Sequence, residues 1–577
     1  MNRGMTMFKG TGASPGIAIG RALVYQEQEL NIKKESVEGL EKELDKFQSS
    51  IKKSKVQLEY VKQEAMKKLG ADKASIFEAH IMVLDDPELI NQVKDKITNE
   101  KVSAEYAVNE VINSFITLFE GMDNEYMKER AADIRDVGNR ILKNLLNVEI
   151  INLATLTDEV ILVANDLTPS DTATMNKEKV LGFITNIGGR TSHTAIMAKS
   201  LEVPAIVGLK SITDEVKSGD LLIFDGGEGF GHINPDEQLL ADFREKKQQY
   251  EFIRKELEKL KSEPSVSKDG RRVELGANIG TPKDVKGVLD NGGEGIGLYR
   301  TEFLYMNRDH MPSEEEQYEA YKEVLQKMEE KPVIIRTLDI GGDKELPYLN
   351  LPKELNPFLG YRAIRICLDQ PEIFKVQLRA LLRASVYGNL KIMYPMISSV
   401  EEVRAANEIL QEVRGELDQK GIEYSKEIEV GIMVEIPATV VIGDMLIKEV
   451  DFFSIGTNDL IQYTTAVDRM NEKISHLYEP FHPAILRMIK MVIDHAHGGG
   501  KWAGMCGEMA GDPKIVPILL GLGLDEFSMS PISILQARKI IRGLSYSEMK
   551  KIAEKALNFP TAAEVKKFVA EEIDKIS

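Results

Sequence analysis

One short segment combines two glycines, two hydroxyl side chains and a histidine, in the order Gly188-Gly-Arg-Thr-Ser-His193. The glycines permit a tight turn that brings backbone amides close to a ligand. A hydroxyl residue before the histidine can cap the helix that continues from Ala195, so His193 falls in the first turn of that helix, where free N–H groups and the dipole favour a phosphate. A neutral imidazole there could attack phosphorus and form a covalent phosphohistidine. The same spacing also fits a histidine that only packs at a helix start, and the residues alone leave both interpretations open.

A second group of polar side chains is spread over the last half of the chain, and each member follows a run of strand-forming residues. Arginines offer paired donors to carboxylate and phosphate. Two carboxylates could hold Mg²⁺ through one oxygen each and leave positions for substrate oxygens. Singly, each residue has a structural explanation, such as a surface salt bridge, a helix cap or a small buried side chain; together they are hard to explain as structure. The group comprises Arg300, Arg336, Glu435, Asn458, Asp459 and Cys506.

The elements that must position this second group form a regular series. Eight strand candidates alternate with amphipathic segments of helix length, which predicts a (β/α)8 barrel. Because such barrels build their sites at the carboxyl ends of the strands, the polar residues are expected to lie on one face. The strand candidates are Arg272–Ala277, Gly295–Tyr299, Val333–Thr337, Lys391–Tyr394, Glu429–Glu435, Phe452–Ile455, Lys501–Met505 and Glu526–Met529.

The first half of the chain changes character twice. Residues 8–25 read as strand, turn and strand, and buried-strand patterns return after residue 147. Between them lies a stretch rich in Glu, Lys, Leu and Ala, which predicts a bundle of about four helices inserted in an α/β domain. Its first helix would bury the stripe Leu40, Leu44, Phe47, Ile51, Val56 and Tyr60. The expected domains are 1–32 with 147–233 (α/β), 33–146 (helical insertion), 234–270 (linker helix and hinge) and 271–577 (barrel).

Composition excludes several classes of function. The 577 residues carry a net charge of -18, which argues against a nucleic-acid binder because Lys and Arg are not in excess. No apolar run approaches the roughly 20 residues that span a bilayer, and the first residues lack a signal pattern. Two cysteines cannot form a disulfide framework. A cytoplasmic protein is therefore expected.

At this point the residues carry a family resemblance. The stretch Gly188–Met197 resembles the phosphohistidine signature of the phosphoenolpyruvate-utilising enzymes, and the stretches around the polar strand ends resemble the barrel signatures of the same group. Their order, their spacing and the helical insertion are similar to the Enzyme I family of the bacterial sugar phosphotransferase system. The resemblance covers essentially the whole chain, beginning at Gly10-Thr-Gly-Ala-Ser-Pro-Gly-Ile-Ala18. It implies a swivelling phosphohistidine domain and a barrel that joins two copies into a homodimer.

The resemblance also implies roles for individual residues. His193 would accept the phosphoryl group, and Cys506 would protonate the enolate to give pyruvate. Glu435 and Asp459 would bind Mg²⁺, and Thr172 would hydrogen-bond the active histidine. The residues that would contact phosphoenolpyruvate are Arg300, Arg336, Asn458, Asp459 and Arg469, assisted by Lys344 and Arg362.

The helical insertion would dock the small histidine-bearing carrier HPr. Its segment from Asp72 to Leu89 mixes apolar residues with carboxylates, a pattern that suits a partner with a basic rim around an apolar patch. An ordinary amphipathic helix with a solvated face would show the same pattern. The residues concerned are Ile76, Phe77, Met82 and Leu84, with Asp72, Glu78, Asp85 and Asp86.

Two other functions are weighed against this one. An ATP-dependent relative that makes phosphoenolpyruvate would carry a large nucleotide-binding region ahead of the histidine domain, which here begins near Phe8, and no G-x-x-x-x-G-K-[ST] loop is present. A regulatory phosphorelay paralogue would carry an extra N-terminal sensor domain. The sequence therefore favours the phosphotransferase.

Overall fold

The computed structural model of the chain divides into two compact units, Met1–Ile253 and Arg254–Ser577. Each unit has its own hydrophobic core residues. The structure describes residues 5–25, 32–69, 71–120, 125–148, 153, 156–167, 175–176, 178–189, 194–195, 198, 203–306, 308, 310–342, 346, 348–349, 351, 354–469, 471 and 473–576.

The first unit contains a mixed sheet of eight strands in its described part. The strands are β1 (Thr6–Lys9), β2 (Thr11–Ser14), β3 (Ile17–Tyr25), β4 (Val160–Ala164), β5 (Val180–Thr185), β6 (Ala205–Val207), β7 (Leu221–Asp225) and β8 (Phe230–Ile233), in the spatial order β1-β8-β7-β3-β4-β5-β6-β2. Strands β3, β4, β5 and β6 run parallel, and the other pairs are antiparallel. Because β3 lies directly beside β4, the chain leaves the sheet after Tyr25 and returns to the neighbouring position at Val160. The helical stretch is therefore an insertion in an α/β domain.

The insertion contains five helices among the residues that are described, one more than the sequence predicts. They are α1 (Leu40–Leu69), α2 (Ala71–Leu84), α3 (Pro87–Glu100), α4 (Ala104–Glu120) and α5 (Glu125–Leu145). Proline at the first position of α3 and the Asp86 side chain, which accepts a hydrogen bond from the Glu88 amide at 2.8 Å, start a new helix directly after α2. This local stop and start at Pro87 separates α2 from α3.

The buried face of α1 differs from the predicted stripe in its second half. Phe47 is fully buried as expected, but Val56 and Tyr60 are 63% and 48% exposed. The buried face continues through Ser54 and Leu58. These residues follow Ile51 at steps of three and four, which keep them on one face of the helix, whereas Val56 follows Ile51 at a step of five and leaves that face. The buried Ser54 hydroxyl accepts a hydrogen bond from the Asn144 side chain of α5 at 2.9 Å.

The second unit contains a closed barrel whose eight strands, all in the described part, are parallel. The strands are β9 (Glu274–Ile279), β10 (Gly295–Arg300), β11 (Pro332–Arg336), β12 (Asn389–Tyr394), β13 (Glu429–Val434), β14 (Phe452–Ile455), β15 (Trp502–Met505) and β16 (Glu526–Met529). Strand β16 pairs with β9, which closes the ring. Every predicted strand overlaps an observed one, so the predicted fold class, an α/β domain with a helical insertion followed by a (β/α)8 barrel, is confirmed.

Helices cover the outside of the barrel. Two of the longer ones begin with capping boxes, Ser313 with Glu316 and Ser399 with Glu402. No α-helix of the described ranges, in either unit, is long and apolar enough to cross a membrane. Outside the sheet and the insertion, the helices are Ile212–Glu215, Glu237–Glu258, Val285–Asp290, Glu314–Met328, Ile364–Asp369, Pro371–Ala384, Val400–Lys420, Pro437–Val441, Gly443–Leu446, Thr457–Thr465, Pro483–Gly498, Val516–Leu522, Ile534–Gly543, Tyr546–Ala556 and Ala562–Asp574.

The stretch 262–270, whose composition indicates a linker, is hydrogen-bonded to the barrel. The buried Arg538 guanidinium donates to the backbone oxygens of Leu260, Lys261 and Gly292 at 2.6–3.0 Å and to the Ser265 hydroxyl at 3.1 Å. Burying a guanidinium group costs free energy unless its N–H groups donate hydrogen bonds, and most of those of Arg538 do so here. The chain is therefore fixed to the barrel from Leu260 onward.

Candidate active site

The polar residues of the second group lie together on the carboxyl rim of the barrel. Arg300 and Arg336 are the last residues of β10 and β11, and Glu435 and Cys506 follow directly after β13 and β15. Asn458 and Asp459 are in the first turn of helix Thr457–Thr465, which follows β14. Because the strands are parallel, all of these positions share one end of the barrel.

Two buried arginines at this rim are joined by one aspartate. Nη2 of Arg336 donates to Oε1 of Glu302 at 2.7 Å and is 2.9 Å from Oδ2 of Asp339. Nη2 of Arg362 donates to the other Asp339 oxygen at 2.9 Å and lies 3.5 Å from Oδ2 of Asp459. The aspartate therefore fixes two guanidinium groups side by side.

The charged forms of the two arginines in this network are stabilised by the carboxylates around them. Burial works against the charged form of both arginines, but Asp339 and the neighbouring carboxylates more than offset it, so the pKa of Arg336 and of Arg362 is raised above the ordinary value. Within the described residues, Nε of each arginine is buried without a hydrogen-bond partner. Guanidinium groups that are fixed in this way are of the kind that binds phosphate and carboxylate through paired donors.

Glu435 is a further buried carboxyl at the rim. Burial, followed by the nearby charges of Asp459 and Asp339, raises its pKa to about 8. Its Oε1 accepts a hydrogen bond from the Met396 amide at 2.6 Å, and Met396 has a φ of 56°, a strained conformation for a residue other than glycine. A Cβ on Gly456 would lie 3.0 Å from Oε2, so the glycine before the Asn458–Asp459 helix leaves room for this carboxyl.

The residues present fit a Mg²⁺ ion. Among described residues, no group of three or more His, Cys, Asp and Glu side chains is arranged to hold a metal. Mg²⁺ is commonly bound by one or two carboxylates, with waters and substrate oxygens completing the octahedron. Burial and, after it, the charge of Asp459 raise the pKa of Glu435, and a divalent cation bound by these two carboxylates would offset the repulsion between them.

The Cys506 thiol lies under the same rim and is 3% exposed. Burial raises its pKa to about 11, and hydrogen bonding to Ser454 counteracts only part of that shift. The thiol donates a long, weak contact of 3.9 Å to the Ile455 carbonyl. A thiol with this pKa keeps its proton at neutral pH and can act as an acid towards a stronger base.

Asn458 and Arg469 border the site beside Tyr478. The Asn458 side-chain oxygen accepts hydrogen bonds from the Tyr478 hydroxyl and the Glu508 amide, both at 3.4 Å. Burial raises the pKa of Tyr478 to about 12, and the Arg469 charge counteracts that shift, which places the arginine near the phenol. Arg300 lines an open cleft of about 410 Å³ together with Asn278, Glu508, Asp512 and Ser530. The structure thus places every predicted barrel residue at the same end of the barrel, with Arg336, Glu435 and Asp459 in one charge network and Arg300 in the adjoining cleft.

Sequence reasoning missed Asp339 and Glu302. Both lie two or three residues after a predicted arginine, Glu302 after Arg300 and Asp339 after Arg336. Their spacing could have drawn attention to them, but the pairing of Glu302 with Arg336, 34 residues away, is visible only in the fold. Lys344, expected to assist, lies outside the described residues.

His193 and Thr172 also lie outside the described residues, but the positions around the histidine are placed. Gly188, with a φ of 119°, follows β5, and its carbonyl lies so near Gly208 that a Cβ there would approach it to 2.9 Å. The Thr194 hydroxyl donates to Asp166 at 2.8 Å, just after β4. The segments before and after His193 are therefore held at the carboxyl ends of neighbouring parallel strands.

Only part of the proposed docking segment on α2 is exposed to solvent. Phe77 and Leu84 are fully buried in the core of the insertion, which corrects their assignment to an exposed apolar patch. Asp86 caps α3, and Asp85 is 2.6 Å from Lys55. Among the described residues of this segment, Met82 is 69% exposed, and the side chains of Glu78 and Asp85 are 63% and 53% exposed. Ile76 and Asp72 fall where side chains are not described.

Known proteins resemble the chain along nearly all of its length. Models of the PEP-utilising enzymes match it three times: the N-terminal domain at residues 9–130, the mobile domain at 156–229 and the PEP-binding domain at 254–546. A relative from Staphylococcus carnosus (strain TM300) is 59% identical over 98% of both chains, and one from Bacillus subtilis (strain 168) is 59% identical over 98% of this chain and all of its own. Both bear the name phosphoenolpyruvate-protein phosphotransferase.

One solved structure matches the first part of the chain. The NMR solution structure of an Enzyme I protein is 52% identical, covers 42% of this chain and 99% of its own, and has a TM-score of 0.39, which adds no argument about the fold. The family models and the full-length relatives carry the assignment. The chain belongs to the family of phosphoenolpyruvate-utilising enzymes.

Proposed function

We propose that the chain is a phosphoenolpyruvate-protein phosphotransferase. It transfers the phosphoryl group of phosphoenolpyruvate to its own His193 and then to a histidine of the carrier protein HPr, releasing pyruvate. The observation that carries this proposal is the pair of buried arginines, Arg336 and Arg362, joined by Asp339 beside the Glu435–Asp459 carboxylates. Relatives that are 59% identical over the full chain bear the same activity in their names.

The rim suits a small substrate with two anionic groups. Arg336 and Arg300 would bind the phosphate and carboxylate of phosphoenolpyruvate, with Arg469 and Asn458 closing the site from the loop after β14. Glu435 and Asp459 would hold Mg²⁺, which, when bound, offsets charge and fixes the substrate oxygens. Phosphoryl transfer depends mainly on positioning and charge neutralisation, and the fixed guanidinium groups provide both.

The chemistry then needs two groups of this chain. The neutral imidazole of His193 attacks phosphorus, so a P–N bond forms as the P–O bond to the enolate breaks. The enolate takes the proton of the Cys506 thiol on carbon, so the S–H bond breaks and the methyl group of pyruvate forms. The pKa of about 11 keeps that thiol protonated before each transfer.

Three further properties belong to the same proposal. HPr would dock on the outer face of α2, where Glu78 and Met82 are exposed. Two copies would join through the barrel, whose surface exposes Val441 and Met445 by more than half, and a monomeric mass in sedimentation would contradict this. The two cysteines are free and buried, which suits the reducing cytoplasm.

The test of the proposed function is a labelling experiment. Protein is incubated with labelled phosphoenolpyruvate and Mg²⁺, and HPr is then added. We expect an acid-labile, base-stable label on the wild type that moves to HPr, and no label on His193→Ala. The matched control is His497→Ala, which removes a histidine that lies 2.8 Å from Asp525, near the amino ends of β15 and β16. Label retained in His193→Ala would overturn the histidine assignment.

A further inference from the structure

The turn that carries Cys506 is held by hydrogen bonds to other elements of the barrel, and the proposed mechanism does not account for them. The Cys506 amide donates to the Ile455 carbonyl of β14 at 3.1 Å, and the Cys506 carbonyl accepts a hydrogen bond from Nδ2 of Asn278, on β9, at 2.9 Å. Two residues on, the Glu508 amide donates to the Asn458 side chain at 3.4 Å. Both peptide groups of Cys506 are therefore fixed from outside its own strand.

Asn278 reaches this turn across a neighbouring strand. It lies on β9, and β16 separates β9 from β15, which Cys506 follows. The Asn278 side chain also meets Ser528 of β16, a fully buried residue whose hydroxyl donates to Oδ1 of Asn278 at 2.6 Å. The opposite orientation of the amide would place Oδ1 against the Cys506 carbonyl oxygen, where neither atom can donate. Ser528 and the carbonyl together therefore fix the amide in one orientation.

Two glycines allow these groups to pack closely. A Cβ on Gly297 of β10 would lie 2.4 Å from the Cβ of Ser528, so the serine occupies space that a larger residue on β10 would take. A Cβ on Gly507, the residue after the cysteine, would lie 1.8 Å from Oγ1 of Thr457, the first residue of the helix that follows β14. The turn is therefore packed directly on the start of that helix.

The Asn278 side chain is not needed to close the barrel. Its strand is already joined to β10 and to β16 by backbone pairing, so the ring is complete without it. The side chain also borders the cleft that Arg300 lines. Its polar atoms are already used, however, because the oxygen accepts from Ser528 and the nitrogen donates to the carbonyls of Cys506 at 2.9 Å and Ser528 at 3.5 Å. The functional residue that the amide holds is therefore Cys506.

We propose that Asn278, oriented by Ser528, is a positioning residue for Cys506 and holds the thiol against one face of the enolate. Proton transfer to carbon requires the S–H bond to point at the reacting carbon from above or below the enolate plane. A displacement of about 1 Å can cost up to about 100-fold in the rate of such a step. Asn278 acts through Cys506 and does not contact the substrate. This inference rests on the proposed function, because it assumes that Cys506 is the acid.

The first test is the configuration of the methyl group of pyruvate. The full chain is incubated in heavy water with Mg²⁺, HPr and phosphoenolpyruvate that carries tritium at one defined position on carbon 3. The methyl group that forms then contains hydrogen, deuterium and tritium, so its configuration shows which face received the deuteron. We expect mainly one configuration from the wild type, a racemic methyl group from Cys506→Ala, and loss of most of the excess in Asn278→Ala. A loss of stability alone would not alter the configuration.

The second test separates positioning from substrate binding in the steady-state kinetics of pyruvate formation. Asn278→Ala should lower kcat about ten- to 100-fold and change KM for phosphoenolpyruvate by less than about twofold, because the thiol is displaced while the arginines stay in place. Ser528→Ala keeps the amide but removes the hydrogen bond that orients it. It should therefore lower both kcat and the configurational excess, each by less than Asn278→Ala does.

The matched control is Asn407→Ala, on the barrel helix Val400–Lys420. The Asn407 side chain accepts from the Tyr394 hydroxyl and donates to the Glu449 carbonyl, both at 3.3 Å, so the same two kinds of hydrogen bond are lost away from Cys506. This variant should leave kcat, KM and the configuration unchanged.

Wild-type kcat and configuration in both Asn278→Ala and Ser528→Ala would overturn the positioning role. So would a raised KM at unchanged kcat in Asn278→Ala, which would make the residue a substrate ligand, or equal losses in Asn407→Ala, which would make the effect a general one. A wild type that forms no pyruvate or carries no label on His193, or a Cys506→Ala protein that keeps the wild-type configuration, would instead mean that the proposed function is wrong.

Discussion

The barrel mouth and the outer face of α2 differ in the exposure of their charged side chains, which are buried at the mouth and exposed on α2. At the mouth, Arg336 and Arg362 are almost fully buried and share Asp339. On α2, Glu78 and Met82 face water. Buried charges cannot relax away from a ligand, so they can stabilise a transition state strongly, whereas exposed charges are screened and mainly guide encounter. The two regions should therefore differ in how much a single substitution costs.

The largest effect is expected at Arg336. Arg336→Ala should lower kcat/KM for self-phosphorylation about 1,000-fold, because one fixed donor to developing charge is lost. Arg336→Lys keeps the charge but cannot bridge Glu302 and Asp339 in the same way, so it should recover only part of that loss. The measurement is the rate of label transfer from phosphoenolpyruvate. Arg404→Ala, at an exposed pair with Glu449, is the control, and a loss as large there would remove the contrast between buried and exposed charges.

A smaller effect should appear in the pH dependence of stability. The folded protein without metal holds the Glu435 proton up to about pH 8, while the unfolded chain loses it near 4.5, so stability falls as pH rises between these values. Mg²⁺ needs the deprotonated carboxylate, so the stabilisation that it adds should grow by about 1–2 kcal/mol from pH 6 to pH 9. Thermal unfolding with Mg²⁺, and with NaCl at matched ionic strength, measures it. Glu435→Gln should abolish the growth; a Mg²⁺ effect that is equal at both pH values would place the metal elsewhere.

The smallest effect is expected on α2. Glu78→Lys should slow transfer from the phosphorylated protein to HPr about three- to tenfold at low salt, and the difference should shrink as salt is added. Self-phosphorylation should not change. Glu372→Lys reverses another exposed charge, on a barrel helix, where the side chain is 81% exposed against 63% for Glu78, and should leave both rates unchanged. Equal slowing by both variants would show a general charge effect in place of a docking face.

Much of the barrel could be predicted from the sequence, because each strand is a short apolar run between turn signals. Phe452–Ile455 and Glu526–Met529 agree residue for residue. The residues of the rim could also be predicted, since topology alone places strand ends together. What could not be predicted is which charges pair: Asp339 joins two arginines that are 26 residues apart, and no spacing rule covers such a contact.

The helical insertion was harder for a specific reason. A helix buries positions by angle, so Val56 and Tyr60, although apolar, fall off the buried face of α1, and the small polar Ser54 falls on it. The same reasoning applies to α2, where Phe77 and Leu84 are core residues and Met82 is exposed among the apolar side chains that are described. A prediction that uses hydrophobicity alone, without the angular position of each residue on the helix, therefore also misplaces the docking residues.

The clamp that Arg538 forms on the chain at 260–265 has a mechanical consequence. Three hydrogen bonds from the buried guanidinium hold residues of this segment, and a fourth joins the same guanidinium to Gly292, so the segment is fixed and cannot serve as the axis of a rotation. The preceding helix, Glu237–Glu258, packs its first half on the sheet of the first unit through Leu239, Leu240 and Phe243, whereas none of its described side chains after Phe243 is fully buried. The swivelling that the family resemblance implies would therefore have to bend the chain before Leu260, because the residues from Leu260 onward are held by Arg538.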